Sequence, residues 1–204
     1  MLDEGVIKFS SQRREGSVAW SATLDALNRT RTALFDLGLI GVLPDGIGYG
    51  NLSLRTDGLQ FVISASATGA DRVLRPEQYS LVESFSIAAN SVQSLGRLPA
   101  SSESMTHGAI YAANPAVQCV IHVHSRRLFD WLLHNGWPAT PANVPYGTPA
   151  MADAVTLLMA QQTRLPVLFV MTGHQDGVVA YGGDIASVYA LVRDTFERIT
   201  PCNE

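Results

Sequence analysis

Two histidines one residue apart, His122-Val123-His124, stand in an apolar run. In a strand, residues two apart project from the same face, so both imidazoles can reach one ion. His174 lies in the glycine-flanked stretch Thr172-Gly173-His174-Gln175-Asp176-Gly177, after another apolar run, and is the natural third ligand. A catalytic zinc site takes three protein ligands and keeps one position open for water or substrate. A His-x-His pair alone reads more readily as two half-buried histidines of a sheet, and adding His174 brings the two readings level. A carboxylate nearby therefore matters. Glu103, in Pro99-Ala100-Ser101-Ser102-Glu103, falls in the predicted first turn of a helix. The helix dipole favours a negative charge there, which is also the plain alternative to a catalytic role. Ser101 and Ser102 set two hydroxyls beside the N–H groups of that helix start, a ready anion site. His107, four residues after Glu103, shares its helix face and either orients the carboxylate or snorkels at the surface.

Two further loops carry polar groups. Gly50-Asn51-Leu52-Ser53 offers an amide and a hydroxyl at a strand start, and Ser64-Ala65-Ser66-Ala67-Thr68-Gly69 offers hydroxyls and pliable backbone to an anion. Each alone is weak, because Ser, Thr and Gly are ordinary loop residues. The spacing Gly46-x-Gly48-x-Gly50 looks like a dinucleotide loop, but the Leu-Ser-Leu-Arg that follows reads as a strand where that motif requires a helix. The only lysine, Lys8, falls in a polar N-terminal arm, so Schiff-base chemistry has almost no group to use.

These groups need a scaffold. Of 204 residues, 47% are apolar and 16% charged, which excludes a disordered chain. With 14 Lys plus Arg against 18 Asp plus Glu, the net charge of −4 gives no broad basic footprint for nucleic acid or anionic lipid. No apolar run is long enough to span a bilayer. The acidic start Met1-Leu2-Asp3-Glu4-Gly5 lacks the apolar region of a signal peptide. Two cysteines, Cys119 and Cys202, make no disulfide framework and point to reduced thiols in a cytoplasmic protein.

The expected order begins with a loose arm over residues 1–17, within a single domain of 1–204. A helix follows, with Trp20, Leu24, Leu27, Leu34 and Leu37 on one stripe and Gly38 as its stop. The glycine-rich residues 41–50 read as a loop. Two strands around Leu52-Ser53-Leu54 and residues 59–63 join at Asp57-Gly58, a hairpin turn. Residues 79–95 carry a helical period. Residues 102–113 form a helix ended by Pro115, and residues 117–124 a strand with Cys119, Ile121 and Val123 on one face and Val120, His122 and His124 on the other. A short helix over 127–134, a Pro-rich loop over 138–149, a helix over 151–162, strands over 165–171 and 178–181, and a helix over Ile185–Ile199 complete the chain. Without clean βαβ alternation, an α/β layer structure with antiparallel pairing is expected in place of a doubly wound parallel sheet.

In combination the motifs resemble the class II aldolase and adducin-domain family, over residues 18–192. They are Gly50-Asn51-Leu52-Ser53, Thr68-Gly69, Ser101-Ser102-Glu103 with His107 and Tyr111, His122-Val123-His124-Ser125, and His174 before Gly177. Five motifs in order are far more specific than any one. The resemblance implies a three-layer α/β/α fold with a central, mainly antiparallel sheet flanked by helices, and it recasts residues 79–95 as a hairpin. It implies that His122, His124 and His174 bind zinc or another divalent metal, that Glu103 is the acid/base, and that Asn51, Thr68, Gly69, Ser101 and Ser102 face a substrate phosphate. The implied enzyme is a metal-dependent lyase acting on a small phosphorylated sugar by aldol cleavage through a zinc-stabilised enediolate, and a homotetramer. Family members also include sugar-phosphate dehydratases and epimerases, and non-catalytic adducin-like binding modules. A non-phosphorylated hydroxy-carbonyl substrate is a further alternative. The pattern departs at two places. Gln175 and Asp176 separate His174 from Gly177, with Asp176 either near the metal or only making the turn, and the segment bearing the family's tyrosine proton donor is shortened, with Tyr146 nearby in sequence.

Overall fold

The computed structural model describes residues 6–199. Among them, nine strands form one sheet: β1 (Ser10–Arg14), β4 (Asn51–Arg55), β5 (Phe61–Ser64), β6 (Tyr79–Ser86), β7 (Ser91–Leu95), β8 (Cys119–His124), β9 (Ala139–Thr140), β10 (Val167–Met171) and β11 (Gly177–Gly182). A separate small ribbon pairs β2 (Gly41–Val42) with β3 (Gly48–Tyr49) inside the glycine-rich loop. The sheet order is β1-β7-β6-β5-β4-β8-β11-β10-β9, antiparallel except where the edge strands β1 and β9 join. Five helices flank it: α1 (Ala22–Asp36), α2 (Ser104–Ala113), α3 (Arg126–His134), α4 (Pro149–Met159) and α5 (Ile185–Ile199).

Alternation along the strands decides the layers. Val120, Phe61, Ile63, Phe169 and Val179 turn to one face, where Met105, Ala109 and Ile110 of α2 and Met151 and Val155 of α4 cover them. Leu52, Ile121, Val123, Leu168, Val170 and Val178 turn to the other face, under α1, α3 and α5. Burying each such Leu or Val contributes about 1.5–3 kcal/mol, so a strand between two helical layers must be apolar on both sides. β8 meets that rule everywhere except at His122 and His124, which take the α2–α4 face as the alternation requires. This is the expected α/β/α arrangement with a mainly antiparallel sheet.

Local chemistry sets the boundaries. Ser21 caps α1 by accepting the Leu24 N–H at 3.1 Å, and Gly38 ends it at φ 71°. Trp20 thus precedes the helix, partly exposed, rather than extending its buried stripe. Residues 79–95 form the β6–β7 hairpin, with a register shift between Val82 and Ser84 and Asn90 at φ 47° in the turn. The helical period there is an accident of a bulged, one-face-buried ribbon. The arm expected to be loose contributes β1, parallel to β7. All five of its residues are exposed, so this edge strand carries no hydrophobic signal. Cys119 is buried beneath the α1–α3–α5 layer, and Cys202 lies outside the described residues. No helix among the described residues is long and apolar enough to cross a membrane.

Candidate metal centre and adjoining cleft

His122 and His124 rise from β8, and the turn between β10 and β11 delivers His174 to them. The three Nε2 atoms stand 2.9 Å (122–124), 3.2 Å (122–174) and 3.1 Å (124–174) apart, all in buried residues. Three nitrogens at about 2.0–2.1 Å from one tetrahedral ion stand about 3.3 Å apart, so the triangle fits a single cation. The tautomer fits as well. His122 Nδ1 lies 3.2 Å from the Val178 carbonyl, which can only accept, so Nδ1 carries the proton and Nε2 keeps its lone pair. Burial pushes the His122 ring down to about 4, against a smaller opposing effect of the Val178 bond. Burial, then the neighbouring His122, holds His124 well below its ordinary value, and His174 follows suit with His124 and Lys8 adding to the effect. Neutral imidazoles are the protonation state a metal requires.

Glycine permits this convergence. A Cβ on Gly177 would meet His174 Cδ2 at 2.6 Å and His122 Cε1 at 3.2 Å. One on Gly173 would meet the Val144 carbonyl oxygen at 1.9 Å, so only glycine lets the His174 turn lie against the backbone of Ala142 and Val144. Asp176 sits at φ 61° and completes the turn; its carboxylate lies 3.7 Å from Arg126 and is outside the metal-binding cluster.

Glu103 adjoins the triad, with Oε1 3.7 Å from His174 Nε2 and the residue buried. It is the residue before α2 rather than part of the first turn, and its side chain makes no capping bond. Ser101 shapes the turn instead, accepting the Glu103 N–H on its Oγ at 3.2 Å and the Ser104 hydroxyl on its carbonyl at 2.6 Å. Glu103 also lines a cleft of about 390 Å³ together with Asn51, Thr68, Gly69, Ser101 and Ser102. Every residue expected at a phosphate thus lines one cavity. Asn51 pairs with His122 across the β4–β8 ladder, which places the amide beside the metal centre. The strand before Thr68 is tied to the serines by an Ala65–Ala100 bridge and a Ser66 N–H to Pro99 carbonyl bond of 2.9 Å. Backbone packs on backbone at Gly69, where a Cβ would lie 2.2 Å from the Gly41 carbonyl oxygen and 2.7 Å from Gly48 Cα.

The class II aldolase and adducin N-terminal domain model matches residues 45–195. The chain belongs to that family. A comparison with curated protein sequences finds no match. Among solved structures, the L-fuculose-1-phosphate aldolase of Thermus thermophilus is similar at 22% identity, covering 86% of this chain and 89% of that one with a TM-score of 0.60. Another L-fuculose 1-phosphate aldolase aligns at 20% identity over 89% and 84% with a TM-score of 0.64. A sugar-phosphate aldolase from Thermotoga maritima aligns at 17% over 86% and 90%, TM-score 0.61. At these identities the likeness establishes the fold.

Two motif residues of this family member differ from expectation. His107 neither reaches solvent nor orients Glu103. It is fully buried, its Nδ1 2.7 Å from Ser53 Oγ, which in turn lies 2.7 Å from the Tyr111 hydroxyl. The Ser53 hydroxyl is therefore used inside the sheet–helix layer and does not face the cleft. Burial, then His122, pushes the His107 ring well down. Three further placements are not legible in the sequence. Arg31 of α1 is buried and donates to the carbonyls of Thr68 (2.8 Å), Asp71 (2.6 Å) and Arg72 (3.2 Å), pinning the cleft loop from behind. Ala67 in that loop is held at φ 60°, a strained state such bonds can sustain. Lys8 and Tyr146 lie against each other next to His174, so the lone lysine is near the site and not in a remote arm. An arginine on a helix face and a lysine in a polar segment carry no local signal of such placement.

Proposed function

We propose that the protein is a metal-dependent lyase that cleaves a small phosphorylated sugar by an aldol cleavage, with zinc or another divalent ion on His122, His124 and His174. One juxtaposition carries this reading. A buried triad of neutral imidazoles adjoins a buried carboxyl group, which itself forms part of a cleft lined with hydroxyls and amides. When bound, a divalent ion supplies Lewis acidity towards the carbonyl and hydroxyl oxygens of a ketose phosphate and stabilises the charge that develops as the carbon–carbon bond breaks.

The chain's own residues do the remainder. Three neutral ligands leave the ion's charge undiminished, and the low-dielectric surroundings strengthen its pull on substrate oxygens. Glu103 takes and returns the proton at its Oε1, the carboxylate oxygen nearest the triad. Asn51, Gly69, Ser101 and Ser102 hold the phosphate near the start of α2, where the helix dipole and backbone N–H groups favour an anion. Thr68 donates its hydroxyl to the Ala65 carbonyl at 2.8 Å, so its part is to shape the loop and to offer its backbone. The assembly we assign is a homo-oligomer, a tetramer as the family implies, working in the cytoplasm.

A panel of ketose phosphates tests the assignment, with aldehyde and dihydroxyacetone phosphate measured as products and divalent metal by elemental analysis. Release of both products from one substrate, abolished by chelator, is expected. Turnover of a sugar phosphate without carbon–carbon cleavage would make the enzyme a dehydratase or epimerase instead. Purified protein with no affinity for a divalent ion would end the reading.

A further inference from the structure

His174 is the ligand without a strand beneath it. His122 and His124 are fixed by the β8 ladder, whereas His174 stands in a turn, closed by its N–H to the Met171 carbonyl (2.9 Å) and the Gly177 N–H to its own carbonyl (3.0 Å). Those bonds fix its backbone and leave its ring to other contacts. Tyr146 supplies one, its ring centre 4.3 Å from that of His174 with the planes at 36°. Tyr146 comes from the Pro-rich loop and is buried.

The N-terminal segment grips Tyr146 in turn. Its hydroxyl accepts the Val6 N–H at 3.0 Å and donates to the Val6 carbonyl at 3.4 Å. The Lys8 ammonium lies 3.8 Å from the centre of its ring. The lysine stem runs close to Gly147, within 4.0 Å of where a Cβ would stand. The segment is anchored beyond these contacts. Phe9 is buried in the α2–α4 core, Asn90 Nδ2 donates to the Lys8 carbonyl at 2.8 Å, and the Ser10 N–H reaches the Asn90 carbonyl at 2.8 Å as β1 begins.

We propose that Tyr146, clamped by Val6 and Lys8, is the positioning residue for the third metal ligand, and that the N-terminal segment is a strap built to hold the His174 ring. The inference rests on the metal centre proposed above. A loop histidine with a free ring loses rotamer freedom when it binds a metal, and a stacked ring has lost it beforehand. The cation–π contact and the paired bonds to Val6 keep Tyr146 itself from turning away. Val6 also lines the cleft, so the same segment borders both halves of the site.

Cobalt(II) titration of chelator-treated protein tests the strap, because its visible absorption reports ligand geometry as well as affinity. Tyr146→Leu is expected to weaken Co²⁺ binding about 10- to 100-fold, the range for groups that orient a ligand, and to alter the absorption band. Lys8→Met should weaken it about threefold, a loss that disappears in the Tyr146→Leu background because Lys8 acts through that ring. Thermal unfolding of each variant separates this from a loss of fold, and if Tyr146→Leu does not fold, Lys8→Met alone decides. Wild-type band and affinity in Lys8→Met, or a Lys8→Met loss that persists in full without Tyr146, would overturn the strap. Wild-type protein that binds no Co²⁺ would instead overturn the metal centre itself.

Discussion

The candidate metal centre and the cleft beside it are built by opposite means. His122 and His124 stand on an inner strand hydrogen-bonded on both sides, to β4 and β11, and their spacing follows from the two-residue repeat of a strand. Apart from Asn51 of β4 and Gly48 of the small β2–β3 ribbon, the cleft is made of loops and turns, and its shape depends on glycine contacts, one buried guanidinium and the Ala65–Ala100 bridge. The difference separates two tasks. A cation needs donors fixed to tenths of an ångström, which a ladder supplies. A phosphate accepts several weaker donors around it, which loops can offer with some latitude.

The largest effect should come from breaking the ladder-borne half. His122→Ala removes one of the three imidazoles of the triad and is expected to lower kcat on the order of a thousandfold or more, because the ion's Lewis acidity contributes several kcal/mol to such a step. Divalent metal content should fall to background, while the KM for a sugar phosphate changes little in whatever activity persists. Elemental analysis beside turnover measures both. A variant that keeps its metal and its rate would show that the imidazoles are only core residues.

Acid should destabilise the same half. His122 is pushed down to about 4 in the folded protein, while an unfolded histidine titrates near 6.5. Between those values the unfolded chain binds the extra proton, so its contribution to stability is complete above about pH 6.5 and is lost as pH falls through 4. For His122 alone the loss is about 3 kcal/mol, and His124, His174 and His107 shift the same way. Metal-free protein should therefore show a falling urea midpoint between pH 7 and 5. An unchanged midpoint over that interval would mean that the rings are already charged or reach water.

The two halves were also unequally legible in the amino-acid sequence. The face assignment of Val120, His122 and His124 followed from alternation and stands in the structure. The gathering of Asn51, Thr68, Gly69, Ser101 and Ser102 around one cavity comes through the family resemblance, since no periodicity predicts which loops meet. Local pattern failed where tertiary contacts decide. Residues 79–95 have a helical period yet pair as strands, and the polar β1 gives no sign of itself. His107 was placed on the correct helix, but only a cross-layer hydrogen bond to Ser53 reveals which way it turns. Arg31 was invisible for the same reason, because its partners are backbone carbonyls about forty residues away.

Arg31 allows the finest division between the halves. Its guanidinium donates to three carbonyls of the loop that carries Thr68 and Gly69. Burial lowers its pKa, with Tyr79 and Asp71 opposing, yet a guanidinium stays charged under ordinary conditions. A fixed positive charge thus stands behind the loop we assign to the substrate phosphate and also holds its shape. Arg31→Gln keeps an amide donor for one carbonyl but removes the charge and the fork. The expected result is a KM for the phosphorylated substrate raised about tenfold, equivalent to about 1.4 kcal/mol, with kcat and metal content within a factor of two of wild type. Arg31→Lys should recover part of the loss through charge alone, though not the three-way geometry. If metal content falls together with affinity for substrate, the loop supports the triad as well, and the division between ladder and loops does not hold.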